Sequence, residues 1–150
     1  MIEKELTEQI IGAAMEVHSY WGPGLLESIY EKSLYHELTL QGIEVRRQVP
    51  LNLKYKGLAL DDDFRVDLIV EGKAVVELKV VKDLQPVHEA QLLTYMKLTN
   101  SPVGLLINFN VASLKHGIKR MVLSERLASA NRNSFDSTTE DTEATELQIV

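Results

Sequence analysis

The 150-residue sequence predicts an α/β fold in which a mixed central β-sheet is flanked by α-helices. Three observations predict it. Helical spacing of apolar residues opens the chain and returns once later, with short strand-like runs between. One of those runs, Ala74 to Val81, is almost wholly apolar, as expected of a central strand covered on both faces. A strand, a helix and a second apolar strand then follow between Ala74 and Phe109, which implies a parallel pair with a right-handed crossover.

Each element follows from its residues. Leu6, Ile10, Ala13, Ala14 and Val17 recur at three- and four-residue spacing, so a helix is predicted over Glu3 to Tyr20. Trp21-Gly-Pro-Gly24 breaks it. A second helix is predicted from Leu25 to Gln41, with Gly42 as its stop. Ile43 to Val49 alternates apolar and polar residues, and Leu51, Leu53 and Tyr55 continue the alternation after Pro50. Phe64 to Val70 and Ala74 to Val81 are two further strands joined by Glu71-Gly72-Lys73 as a hairpin turn. Pro86 opens a third helix reaching Leu98, since proline is compatible with a first turn. Val103 to Phe109 is another buried strand, and Gly117 to Leu123 adds an edge strand. Beyond Ala128 the chain is rich in Ser, Thr, Asn and acidic residues, which predicts a disordered acidic tail over 128–150 after a single domain over 1–127.

Composition excludes several function classes. The absence of cysteine rules out a disulfide framework and any cysteine-ligated zinc or iron–sulfur centre. The start, Met-Ile-Glu-Lys-Glu-Leu, is charged and lacks the apolar run of a signal peptide, and no window is apolar enough to span a membrane. A cytoplasmic protein with no membrane partner is expected. The net charge of −6 argues against nucleic acid as a partner, but from Ser129 onward five acidic residues face only Arg132, so the body is near neutral. No phosphate-cradling Gly-Lys-Ser/Thr loop and no dinucleotide-type glycine pattern is present. Asp61-Asp-Asp63 lacks the glycine and spaced glutamate of a calcium loop.

The chemistry-bearing residues cluster on the third and fourth strands. Ten residues and one turn separate Asp67 from Glu77, so a hairpin brings them side by side. Carboxylates are hard ligands suited to Mg²⁺ or Mn²⁺. Lys79 lies two residues after Glu77 and so shares its face of the strand. A lysine there can orient a water or stabilise charge developing at phosphorus. The competing reading is a surface ion pair at a sheet edge. Isolated charges within Val75-Val-Glu-Leu-Lys-Val-Val81 are costly unless paired or metal-bound, which weighs against it. Glu27 shares a helix face with Tyr30, and His88, Gln91 and Tyr95 form a polar stripe on the third helix. For both, an ordinary solvated helix face is the alternative. Arg46, Arg47, Lys54 and Lys56, and later Lys115, Lys119 and Arg120, are either phosphate contacts or solvated strand edges.

At these residues the sequence resembles the GxxExxY family, which is assigned to the PD-(D/E)xK nuclease-like superfamily. Gly24-Leu-Leu-Glu27-Ser-Ile-Tyr30 matches the naming motif. Gln48-Val-Pro50, Asp67-Leu-Ile-Val70, Val76-Glu-Leu-Lys79, His88-Glu-Ala-Gln91-Leu-Leu-Thr-Tyr95 and Gly104-Leu-Leu-Ile-Asn-Phe-Asn110 follow its pattern. The match runs from about Ile2 to Val122. The resemblance implies a restriction-endonuclease-like core. It implies that Asp67, Glu77 and Glu27 bind metal, that Lys79 is the signature lysine, and that Gln91 is the polar residue supplied by the following helix, with Tyr95 one turn on. Val66 stands where a proline would precede the aspartate. Two functions are therefore expected in competition. One is a Mg²⁺- or Mn²⁺-dependent nuclease acting on DNA or RNA through Asp67, Glu77, Lys79, Glu27 and Gln91. The other is a non-catalytic module of the same fold that binds nucleic acid or a protein.

Overall fold

The computed structural model describes residues 3–60, 63–123 and 147–149. Helix α1 (Lys4–Trp21) buries Leu6, Ile10, Ala13, Ala14 and Val17, the stripe that the spacing predicts. Gly22 ends it at a positive φ of 70°, a conformation glycine adopts without steric cost. Helix α2 (Glu27–Leu40) buries Tyr30, Leu34 and Leu38, one residue per turn. A narrow stripe of this kind gives α2 one covered side, against α1 and the sheet.

The main sheet has six strands in the order β1 (Val45–Pro50), β4 (Arg65–Val70), β5 (Ala74–Lys79), β6 (Val103–Asn108), β7 (Ile118–Leu123) and β8 (Leu147–Ile149). The pair β5 and β6 is parallel and every other pair is antiparallel. The crossover between the parallel strands is helix α3 (Pro86–Thr99). The sheet is therefore mixed, as predicted. Two short strands, β2 (Lys54–Tyr55) and β3 (Leu58–Ala59), form a separate hairpin between β1 and β4.

Three layers result. Leu68, Val70, Ala74, Val76, Leu78, Leu105 and Ile107 pack with α1 and α2 on one face of the sheet. Ile69, Val75, Leu106 and Met121 pack with Leu92, Tyr95 and Met96 of α3 on the other. Period-two alternation places these two sets on opposite faces. Burying one leucine or valine in such a core contributes roughly 1.5–3 kcal/mol, which makes the two faces the main source of stability.

Three details differ from the sequence reading. Strand β1 ends at Pro50, after one more backbone bond from Leu51 N–H to Phe64 O, and Tyr55 and Leu58 are exposed in the separate hairpin. Positive φ at Lys56 and Gly57 turns the chain there, so the alternation after Pro50 does not extend the main sheet. Strand β7 is not an edge: Leu147–Ile149 pairs with it antiparallel, inside the stretch expected to lack structure. Residues 124–146 and Val150, which carry the rest of that acidic stretch, lie outside the described residues, as do Asp61 and Asp62.

Candidate active site

Glu77 lies in the central strand and is 2% exposed, and Asp67 in the neighbouring strand is 9% exposed. Charged side chains are rarely that buried unless something binds them. Their placement follows from how β4 and β5 part. The ladder runs from Val70↔Ala74 to Leu68↔Val76 and then stops. At the next position the side chains replace it. Asp67 N–H donates to Glu77 Oε1 at 3.0 Å, and Leu78 N–H donates to Asp67 Oδ2 at 2.9 Å. Each carboxylate thus satisfies a backbone donor of the opposite strand.

Lys79, two residues further and half-buried, donates from Nζ to Gln91 Oε1 on α3 at 2.7 Å. Gln91 Nε2 reaches Tyr95 OH at 3.5 Å, and Tyr95 is buried. The stripe of Gln91 and Tyr95 therefore faces the sheet and not solvent. His88, the third member of that stripe, acts locally, since its Nδ1 accepts Gln85 N–H at 2.9 Å at the start of α3. Glu27 opens α2 and is largely exposed. Its carboxyl is raised by partial desolvation first and by the Asp67 carboxylate second, while Lys79 opposes the shift, so Glu27 is within electrostatic reach of both.

The structure thus brings Asp67 against Glu77 and Lys79 against Gln91, with Glu27 as a neighbour at electrostatic range. All lie at the end of the sheet where β5 finishes, β4 begins and α2 starts, the carboxyl end of the parallel pair. Ligand sites in open α/β sheets favour that end.

Burial, and next the Asp67 carboxylate beside it, push the Glu77 carboxyl up to about 9. Two oxygen-rich groups held together with excess negative charge suit a hard divalent cation, which lowers the cost of ionising both. Magnesium needs only one or two carboxylates because it retains water, so Asp67 and Glu77 fit the implied ion. Among the described residues, however, no three His, Cys, Asp or Glu side chains stand together as a ready metal-binding group. Glu27 does not close such a cluster with Asp67 and Glu77.

Two residues at the site had no role in the sequence reading. Glu31, one turn after Glu27, is 5% exposed. It accepts Arg47 Nη1 at 2.9 Å and Gln48 Nε2 at 2.8 Å. Gln48 Nε2 also lies 3.4 Å from Asp67 Oδ1. The signal for Gln48 was its place in the Gln48-Val-Pro50 segment, but helix position alone leaves Glu31 looking like any surface glutamate. Of the basic residues, Arg47 is engaged by Glu31, and Lys119 Nζ pairs with Glu89 Oε1 at 3.1 Å.

No helix among the described residues is long and apolar enough to cross a membrane. No curated protein and no solved structure matches the chain. The family model of the PD-(D/E)XK nuclease superfamily matches residues 4–121. That span holds the whole site and all of the sheet but β8 and the last two residues of β7, and on it the chain belongs to the PD-(D/E)XK nuclease superfamily.

Proposed function

We propose that this chain is a divalent-metal-dependent nuclease of the GxxExxY type, hydrolysing phosphodiester bonds of DNA or RNA. The observation that supports it best is the reciprocal lock between Asp67 and Glu77, two buried carboxylates whose presence the fold alone does not explain. Asp67 and Glu77 would hold Mg²⁺ or Mn²⁺, and Glu27 adds negative charge from α2. A divalent ion held there would offset negative charge on a phosphoryl oxygen and acidify bound water.

The remaining roles belong to the chain's own side chains. Gln91 Oε1 accepts a hydrogen bond from one of the three Nζ–H donors of Lys79 and fixes the ammonium in place. The other two stay available to orient an attacking water or to stabilise charge building on phosphorus. Asp67 and Glu77 keep lone pairs beyond those given to the backbone, since each carboxylate oxygen accepts more than one bond. The GxxExxY assignment is supported by what the motif residues do. Gly24 adopts a φ of 92°, Glu27 approaches Asp67 and Lys79, and Tyr30 OH ties the intervening loop.

A second reading, a non-catalytic binding module, is favoured by the absence of a three-ligand acidic group among the described residues. Cleavage of mixed DNA and RNA substrates with Mg²⁺ or Mn²⁺ separates the two, run beside Glu77→Ala and Lys79→Ala. A nuclease loses cleavage in both variants while retaining its fold. No cleavage by the parent on a broad panel, with no metal binding, leaves the module.

A further inference from the structure

Strand β1 pairs with β4 in one register on either side of Gln48, from Arg47↔Leu68 to Val49↔Val66, but the pair between them is missing. At that point Gln48 has a φ of 52°, in the left-handed region. Glutamine has no intrinsic reason to be there, and such residues persist only where surrounding structure holds them. The opposite strand is irregular at the same level. Leu68 and Val70 pack on the α1/α2 face and Ile69 on the α3 face, yet Val66 also packs on the α3 side, so alternation fails across Asp67. Two irregularities facing each other release two side chains from the sheet pattern, and those side chains are the ones that meet.

We propose that Gln48 is a positioning residue for Asp67: the kink in β1 turns its amide onto the Asp67 carboxylate, and the buried Glu31 carboxylate, which also pairs with the exposed Arg47, holds the amide there. The inference rests on the metal reading of Asp67 and Glu77. The chemistry favours a neutral donor at this position. Gln48 faces Asp67 Oδ1 and Leu78 N–H binds Oδ2, so each oxygen has one uncharged partner and keeps capacity for a cation. An arginine on Asp67 would instead cancel the charge a cation needs. Arg47 is the adjacent arginine, and Glu31 binds its guanidinium at 2.9 Å. Glu31 therefore both anchors the Gln48 amide and engages Arg47.

The test uses Gln48→Gly, because glycine takes the left-handed backbone freely, so the amide is lost with the rest of the side chain but no backbone strain is added. Two readouts are needed in the full chain: Mn²⁺ affinity by calorimetry, and exchange of the Leu78 amide in metal-free protein by NMR, since that proton is bound to Asp67. Expected are Mn²⁺ binding weaker by about tenfold, the usual effect of losing a ligand's supporting hydrogen bond, and faster Leu78 exchange. Unchanged affinity overturns the proposal, and so does weaker affinity with unchanged Leu78 exchange, because the effect then does not pass through Asp67. If the parent binds no Mn²⁺, the metal reading fails separately. Leu78 exchange then decides the Gln48 role alone, faster exchange supporting it and unchanged exchange overturning it. Should Gln48→Gly not fold, Gln48→Asn takes its place. Asparagine tolerates the left-handed backbone but is one methylene too short to reach both carboxylates, so the same outcomes apply.

Discussion

Glu77 is a buried acid whose neighbour is another acid, and its titration should be visible in the stability of the whole chain. Its folded carboxyl is raised from 4.5 to about 9, by burial first and Asp67 second. The folded state therefore holds a proton that the unfolded state has released across that interval. Stability rises with pH only where the unfolded state binds more protons, so here it falls. Metal-free protein should lose thermal stability progressively as pH climbs from 4.5 to about 9, and level off above it. Glu77→Gln keeps an acceptor for Asp67 N–H and removes the titration. That variant should flatten the slope, gain about 1–3 kcal/mol near pH 8 and lose cleavage, the pattern of a site that exchanges stability for activity. Thermal melts of both proteins across pH check it, and parallel slopes would assign the burden to another group.

At the scale of elements, the site depends on where β6 ends. Asn108 closes that strand: its side chain donates to Val81 O at 2.9 Å and accepts Val81 N–H at 3.2 Å, which anchors the exit of β5 just past Lys79. Gly117 packs so tightly against the Asn108 carbonyl that a Cβ there would overlap backbone. Gly104, on the same strand as Asn108, faces side-chain atoms instead, with Met96 Sδ 2.5 Å and Leu92 Cδ1 3.0 Å from the position of an added Cβ. Side chains can move and a backbone carbonyl cannot. Gly117→Ala should therefore cost about 3 kcal/mol and Gly104→Ala nearer 1, read from urea midpoints. Equal costs would mean that the end of β6 adjusts freely. Much at this scale was legible in the chain. Apolar periodicity located α1, α2, α3 and the strands β4 to β7, because burial on one or two faces leaves a repeating pattern. It could not show that the chain leaves the main sheet after Pro50, since Leu51, Leu53 and Tyr55 alternate whether or not a neighbour covers them. Of the site, the hairpin showed Asp67 beside Glu77, and the rest was legible only as residue types. The pairing of Lys79 with Gln91 needs α3 to lie across β5, and the roles of Gln48 and Glu31 need a backbone conformation that no side-chain pattern encodes.

At the scale of the molecule, Glu27 and Lys79 come from separate layers and the core sets their relation. Tyr30 makes the link. Its ring stacks on Phe109 with centroids 4.6 Å apart and planes 15° from parallel, and Phe109 N–H donates to Lys79 O at 2.9 Å. Its hydroxyl donates to Gly22 O and accepts Leu25 N–H at 3.0 Å, which fixes the loop that leads into Glu27. Helix α2 has no side-chain cap at Leu26, and the Tyr30 hydroxyl instead ties the loop at both Gly22 and Leu25. Tyr30→Phe keeps the stacked ring and deletes only the hydroxyl. Leaving Gly22 O and Leu25 N–H without that partner should cost about 1–3 kcal/mol. The loss should be local as well as global. Proteolysis between Trp21 and Glu27 should speed up under native conditions, while Lys79 stays bound to Gln91 and cleavage of nucleic acid falls less than in Lys79→Ala. An unchanged urea midpoint, together with an unchanged rate of native-state proteolysis, would show that α2 and the loop before it are held by packing alone, and that Glu27 reaches the site without the Tyr30 hydroxyl.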